Sequence, residues 1–393
     1  MRRGFRVDKL GNTIFSSIHI FLICLLLPMS VNATNPIIIA INTAETGIEV
    51  EGDRGIISGV KLAIKKINSD GGVLGRPLKI QFIDNFGTDI GARNSALKAI
   101  DTKAVAMIGA GRSSRTLAAA KVLQKNNMPL ISPYSTHPEI TKIGNHIFRV
   151  GFTDDFQGKK LGEFAAHYLK AKNAVILING SEKYSTTLAS NFTKSFTNLK
   201  NTVVWNGYYY RTTMDFSSLF EEIKNLKYDL IFIPGYSKRS AWIIKQARKS
   251  GVKSLFMGGD GWGLSMFGFA GEYMTGQLSA DHWHRDIATP QSRQFIQQYK
   301  EEIGTDFILS TGTALAYDSV NLIAQAIQRS GDASRTGVQK GLYSLQGFHG
   351  VTGLIEFNQN GDPKHKNIVL TKFENSNKIL IGVLNQTIDK LSQ

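Results

Sequence analysis

The sequence predicts an α/β protein made of two similar lobes, each a parallel sheet flanked by helices. Three observations carry that expectation. Short runs of continuous aliphatics, such as Ile37 to Asn42 and Val105 to Ile108, alternate with stretches of helical periodicity. The alternation runs from Ile37 to Ser132 and then starts again after Thr153. The 393 residues also exceed one ordinary core, so two domains are the natural prior.

In the first series, the strand Ile37 to Asn42 ends in the polar loop Asn42 to Gly47. After Gly52-Asp53, the residues Ile56, Ile57, Val60, Ala63, Ile64 and Ile67 recur at helical spacing, and Asn68-Ser69-Asp70-Gly71-Gly72 stops the helix. The strand Leu78 to Ile83 follows, closed by Asp84-Asn85, and Ile90 to Ile100 is the next helix. Val105 to Ile108 is a buried strand ending in Gly109 and Gly111. Ser113, Ser114 and Thr116 stand where a helix begins, with Thr116 to Lys125 as its body, and Met128 to Ile131 is a strand ending in Ser132 to Thr136.

After the strand-like Ile147 to Val150, the loop Thr153 to Gly158 leads into the second series. Its helices are Lys159 to Leu169, Leu188 to Leu199, Phe216 to Leu226 and Ser240 to Ser250. Its strands are Ala174 to Ile178, Thr202 to Tyr210, Leu230 to Ile233 and Leu255 to Met257. Polar loops again close the strands, at Asn179 to Tyr184, Pro234 to Ser237 and Gly258 to Gly261. Leu278 to Trp283 is expected to cross between lobes. Helices Gln291 to Ile303 and Thr313 to Arg329 follow, then Gly353 to Asn358, the turn Gln359 to Asp362, and a last strand, Ile368 to Phe373.

In an open parallel sheet, ligands sit just outside the carboxyl ends of the strands. The hydroxyls near Ser113 and Thr136 therefore gather at one sheet edge, beside a helix start whose free N–H groups suit a carboxylate. That is half of a small-anion clamp.

Composition narrows the function. The formal net charge is +15, of which the first 33 residues hold +3, and the basic residues are scattered as on a solvated surface rather than clustered for nucleic acid. Cys24 is the only cysteine, so no disulfide framework is expected. Residues 1–33 combine a basic start, the apolar run Ile20 to Leu27 and the small-residue site Val31-Asn32-Ala33, which is a secretory signal peptide cleaved near Ala33. His282 and His284 lack a third ligand nearby, so no metal is expected. Gly109-Ala110-Gly111 lacks the third glycine of a dinucleotide site, and Ser113 has no base beside it. No enzyme and no cofactor are expected.

Four motifs then occur together and in order: Asn68-Ser69-Asp70-Gly71-Gly72-Val73-Leu74-Gly75, Ile131-Ser132-Pro133 with Pro138-Glu139, Asp215-Phe216-Ser217, and Phe357-Asn358-Gln359-Asn360-Gly361-Asp362. Along its mature length the chain resembles the type I periplasmic binding proteins of the leucine/isoleucine/valine-binding branch, the extracytoplasmic receptors of ATP-driven amino-acid importers. The resemblance implies two Rossmann-like lobes joined by three crossovers, with a ligand clamped in the cleft by hinge closure. It implies a first lobe of residues 34–152 with 283–364 and a second of 153–282 with 365–393. It further implies a periplasmic monomer that binds an amino acid or related amide and serves a membrane permease with its ATPase. The alternative is a ligand sensor of the amide-sensing type with the same fold.

The resemblance also assigns roles. Ser113 falls where a hydroxyl and helix N–H groups hold the α-carboxylate, and Ser135 and Thr136 where a carbonyl and a hydroxyl help hold the head group. Tyr184, Tyr236 and Asp260 match second-lobe residues that close over the ligand, and an acid at Asp260 suits an ammonium. Plainer roles stand beside these: helix caps for the serines, packing for the tyrosines, a turn for Asp260. Two departures bear on the ligand. Arg112 and Gly87 lie where some relatives place a disulfide, and Glu51 where relatives place an aromatic. Either charge is a solvated rim residue or a pocket residue. Because desolvating an unpaired charge is costly, the expectation is a ligand with a polar or charged side chain, read by Glu51 or Arg112.

Overall fold

The computed structural model describes residues 35–47, 50–304, 309–385 and 390–391. The signal segment, with Cys24 and the cleavage site at Ala33, lies outside the described residues. In chain order the elements are β1 (Ile37–Thr43), α1 (Val50–Ser69), β2 (Leu78–Asp84), α2 (Asp89–Ile100), β3 (Ala104–Gly109), α3 (Ser113–Lys125), β4 (Leu130–Ser132) and β5 (Ile147–Arg149). Then come α4 (Asp154–His167), β6 (Asn173–Asn179), α5 (Lys183–Asn198), β7 (Thr202–Tyr209), α6 (Ser217–Ile223), β8 (Leu230–Ile233), α7 (Ser237–Lys249), β9 (Leu255–Gly258), α8 (Met266–Ala270) and β10 (Leu278–Asp281). The chain closes with α9 (Pro290–Ile303), α10 (Thr311–Ser330), α11 (Arg335–Ser344), the short pair β11 (Phe348–Gly350) and β12 (Gly353–Ile355), then β13 (Ile368–Glu374), β14 (Asn377–Leu384) and β15 (Lys390–Leu391).

The first sheet is parallel, in the order β2-β1-β3-β4-β5, with Ile37 opposite Leu78 and Ile41 opposite both Phe82 and Ile108. The second has the order β15-β14-β13-β10-β9-β8-β6-β7. Its β7, β6, β8, β9 and β10 run parallel, whereas β13, β14 and β15 are added antiparallel. The first core draws Ile39, Ile56, Ile108 and Phe148 together with Leu315, Ile323, Leu342 and Phe357 from far along the chain. One second-lobe core joins Phe152, Leu161, Phe192 and Phe232 with Ile368 and Leu370. The chain thus passes between the two sheets three times, after β5, after β10 and before β13.

The structure differs from the sequence expectations where polar residues meet tertiary packing. Leu278 to Trp283 does not cross between lobes along its length: Leu278–Asp281 is β10, held between β9 and β13, and the crossing comes after it. Ile368 to Phe373 is not the last strand, because Asn375 and Ser376 turn the chain at φ 51° and 58° into β14. Helix α11 was not legible, since it buries little beyond Val338 and Leu342. Its start is capped by the Ser334 hydroxyl, which accepts from the Gly337 N–H at 3.0 Å. Helices α4, α5 and α7 each begin several residues earlier than apolar periodicity suggests, which matters for the site below.

Helices α1 and α10 cross closely at Gly59, where an added Cβ would lie 2.2 Å from the Thr313 carbonyl oxygen. Gly59→Ala is expected to push the helices apart and cost about 1–3 kcal/mol of stability, measured by denaturant unfolding. An unchanged unfolding midpoint would show that the crossing yields without cost.

Candidate ligand-binding cleft

Both sheets present the carboxyl ends of their parallel strands to one cleft. On the first-lobe side, β3 runs into Gly109–Arg112, and α3 begins at Ser113 with no side-chain cap. Its leading N–H groups are therefore available to an anion. Ser113 is buried, and its hydroxyl accepts from the His137 N–H at 3.3 Å, tying the helix start to the Ser132–Thr141 loop. Thr136 is buried as well, and its carbonyl accepts from the Asp154 N–H at 2.8 Å.

That loop is organised by Arg149, a fully buried guanidinium at the end of β5. Nη1 donates to the Ser135 carbonyl at 3.0 Å, Nη2 to the His137 carbonyl at 3.0 Å and the Thr141 hydroxyl at 3.1 Å, and Nε to Asp362. Ser135 is consequently turned inward. Its carbonyl is engaged by Arg149 and its hydroxyl pairs with the Thr116 hydroxyl at 2.7 Å, so it shapes the loop. Arg149 uses one lone pair of the Ser135 carbonyl, and the second is the one the sequence expectation assigns to the head group.

On the second-lobe side, Asp260 follows β9 and collects three side chains. Its Oδ1 accepts from Gln157 Nε2 at 2.7 Å and from the Tyr184 hydroxyl at 2.9 Å, while His282 Nε2 lies 3.0 Å from Oδ2. Burial alone would push this carboxyl up, but His282, Gln157 and Tyr184 together hold it below the ordinary carboxylate range. The His282 ring stacks on Phe152 with centroids 3.7 Å apart. Tyr184 stacks on Tyr236 at 5.0 Å, and burial pushes both phenols up. The Arg112 guanidinium reaches across the cleft and lies 3.7 Å over the Tyr236 ring.

The structure thus brings Arg112, Tyr236, Tyr184 and Asp260 into one connected chain, and places Ser113 and Thr136 in the opposing loop cluster. Glu51 belongs to the first turn of α1, and its side chain lies outside the described residues. Beneath the first-lobe side, Asp53 and Arg115 form a buried ion pair at 3.1 Å, and the Tyr134 hydroxyl donates to the Gly52 carbonyl at 2.9 Å. Among the described residues, no group of three or more His, Cys, Asp or Glu side chains is placed to hold a metal ion.

Four residues that line or brace the cleft were not assigned to it from the sequence: Arg149, Asp154, Gln157 and His282. Asp154 and Gln157 lie in what reads as a loop, yet Thr153 caps α4 by accepting from the Phe156 N–H at 3.4 Å, so both stand in the helix's first turn. The Thr153-Asp154-Asp155 run was the available signal: a cap followed by acids. Asp154 is fully buried, and its carboxyl makes neither an ion pair nor a close hydrogen bond, with the Thr136 hydroxyl near it at longer range.

Removing Arg149 leaves Asp362 and two loop carbonyls without their donor. Arg149→Met is expected to destabilise the protein by about 3–5 kcal/mol in urea unfolding. Adding Asp362→Leu should recover part of that loss, and additive effects would refute the coupling. Asp260 titrates lower in the folded protein than in the unfolded chain. Its contribution to stability is complete above about pH 4 and is lost as pH falls through the lowered value. Asp260→Asn should therefore flatten the acid limb of the stability profile.

A family model described as periplasmic binding protein matches residues 36–378. The leucine-, isoleucine-, valine-, threonine- and alanine-binding protein of Pseudomonas aeruginosa is 27% identical over 315 residues, covering 78% of this chain and 82% of that one. A leucine binding protein from Thermotoga maritima is 29% identical with a TM-score of 0.84, over 89% of this chain and 99% of that one. The branched-chain amino acid transporter substrate binding protein of Streptococcus pneumoniae, solved in complex with isoleucine, is 26% identical with a TM-score of 0.83, over 91% and 100%.

Proposed function

This chain belongs to the periplasmic binding protein family, in its leucine/isoleucine/valine-binding branch, and from that premise we propose that it captures an amino acid with an apolar side chain between its lobes for delivery to an ABC permease. It is a solute-binding protein and not an enzyme. Its family places it in the periplasm. The observation that carries the reading is the opposition of charges across the cleft. The uncapped start of α3 at Ser113 suits a carboxylate, and Asp260 on the other side suits an ammonium. A zwitterion matches both ends at once.

The polar or charged ligand side chain expected from the sequence is corrected. Relatives at 26–29% identity are named for leucine or isoleucine, one of them also for valine, alanine and threonine, and none of the three relatives is named for a charged amino acid. Arg112, one of the two charges behind that expectation, lies against Tyr236. Tyr184 and Tyr236 bring two stacked aromatic rings to the cleft beside Asp260, a lining that suits an aliphatic side chain better than a charged one. Ser113, Thr136, Tyr184, Tyr236 and Asp260 are the residues we assign to the ligand, with Arg112 closing the cleft beside them.

After denaturation and refolding to strip any ligand carried through purification, leucine, isoleucine and valine are expected to raise the unfolding temperature. At about 100 times the dissociation constant the gain is about 2.7 kcal/mol. Ser113→Ala should weaken binding about tenfold or more, because a hydrogen bond to a charged group is lost. Stabilisation by glutamate or lysine alone would overturn the apolar assignment.

A further inference from the structure

Asp154 is a buried carboxylate for which the reading above has no use. It begins α4 and is fully buried, and its oxygens make neither an ion pair nor a close hydrogen bond, the Thr136 hydroxyl acting on them only from longer range. Buried acids are ordinarily paired, so an unpaired one beside a binding cleft needs a reason. Its surroundings supply one. Its own N–H is bonded to Thr136, the proposed head-group residue of the first lobe, and Asp260 of the second lobe acts on it electrostatically. Asp260 is already satisfied by Gln157, Tyr184 and His282. Asp154 is not.

We propose that Asp154 is the second carboxylate of the ammonium subsite, holding a proton before ligand capture and surrendering it when an amino acid is bound. The exchange is balanced: the ligand enters with its ammonium intact, the Asp154 carboxyl loses its proton to solvent, and the resulting carboxylate pairs with the ammonium. This rests on the amino-acid reading and adds both a selectivity residue and a proton to it. A neutral amide or a simple carboxylic acid brings no cation to replace that proton, so Asp154 also discriminates against them.

The groups facing Asp154 agree with this. Burial and the charge of Asp260, with a smaller push from its neighbour Asp155, drive its carboxyl well above the ordinary range. The Thr136 hydroxyl and Arg149 oppose that push without reversing it. Tyr184 and Tyr236 sense the same two carboxylates and remain protonated phenols, and His282 faces Asp260. An arriving ammonium reverses the balance, since an opposite charge at close range favours the ionised carboxylate. Affinity therefore rises with pH until Asp154 ionises before capture, and is flat above that point.

The test uses isothermal titration of the purified protein with L-leucine, from about pH 5 to about pH 8, in buffers of different ionisation enthalpy. Close to one proton released per leucine at the acid end, falling towards zero at higher pH, is the expected result. Asp154→Asn should abolish the release and weaken leucine by about thirtyfold or more, with its unfolding temperature retained. It should also narrow the preference for leucine over 4-methylpentanoate, the same skeleton without the amino group. Leucine binding with no proton release, unchanged in Asp154→Asn, would overturn the inference and leave the amino-acid reading intact. Failure of every amino acid to bind would overturn that reading instead. Infrared difference spectra of the ligand-free protein then decide the inference alone: a protonated carboxyl band missing from Asp154→Asn supports it, and its absence from the wild-type protein refutes it.

Discussion

The cleft depends on one buried guanidinium. Arg149 is wholly removed from solvent, a state acceptable only because each of its three nitrogens finds an oxygen. Those oxygens come from the Ser135–Thr141 loop and from Asp362, 213 residues further on. One side chain thus sets the shape of the head-group loop and anchors it to the segment leading into the third crossover. The motif Asn358-Gln359-Asn360-Gly361-Asp362 acquires a physical meaning here. Asn358 Oδ1 accepts from the N–H groups of Asn360 and Asp362 at 2.8 and 3.1 Å, and that turn delivers Asp362 to Arg149.

From that frame the site follows as a division of charge between lobes. The first lobe contributes backbone donors at a helix start, which carry no net charge and need no counterion. The second contributes carboxylates, whose burial is expensive unless they are partnered. Asp260 meets the requirement with three side chains drawn from α4, α5 and the chain after β10. Asp154, with only the Thr136 hydroxyl and Arg149 opposing its burial, is the one we propose meets it when a ligand's ammonium arrives.

Much of the fold was legible because buried parallel strands write themselves as aliphatic runs, and Leu230–Ile233 begins and ends where the sequence places it. Helix starts were harder. Tyr184 and Asp154 stand in the first turns of α5 and α4, where polar residues interrupt the apolar period and a helix looks like a loop. The position of the cleft could be read from strand ends, as could Ser113 and Asp260. Pairings over long sequence distances could not, among them Arg149 with Asp362 and Gln157 with Asp260. For the same reason the sequence left Arg112 open between rim and pocket, and only the folded chain shows its planar face spread over the Tyr236 ring.

The contact between Arg112 and Tyr236 joins the two lobes without any help from a ligand. A cation–π pair of this kind is worth about 0.5–2 kcal/mol, so under the hinge closure that the resemblance implies it would shift the ratio of shut to open molecules by roughly two- to thirtyfold towards shut. A receptor biased in that direction spends less of its time able to accept solute and more of its time able to keep it. Such a latch would trade speed of capture for retention of what is caught.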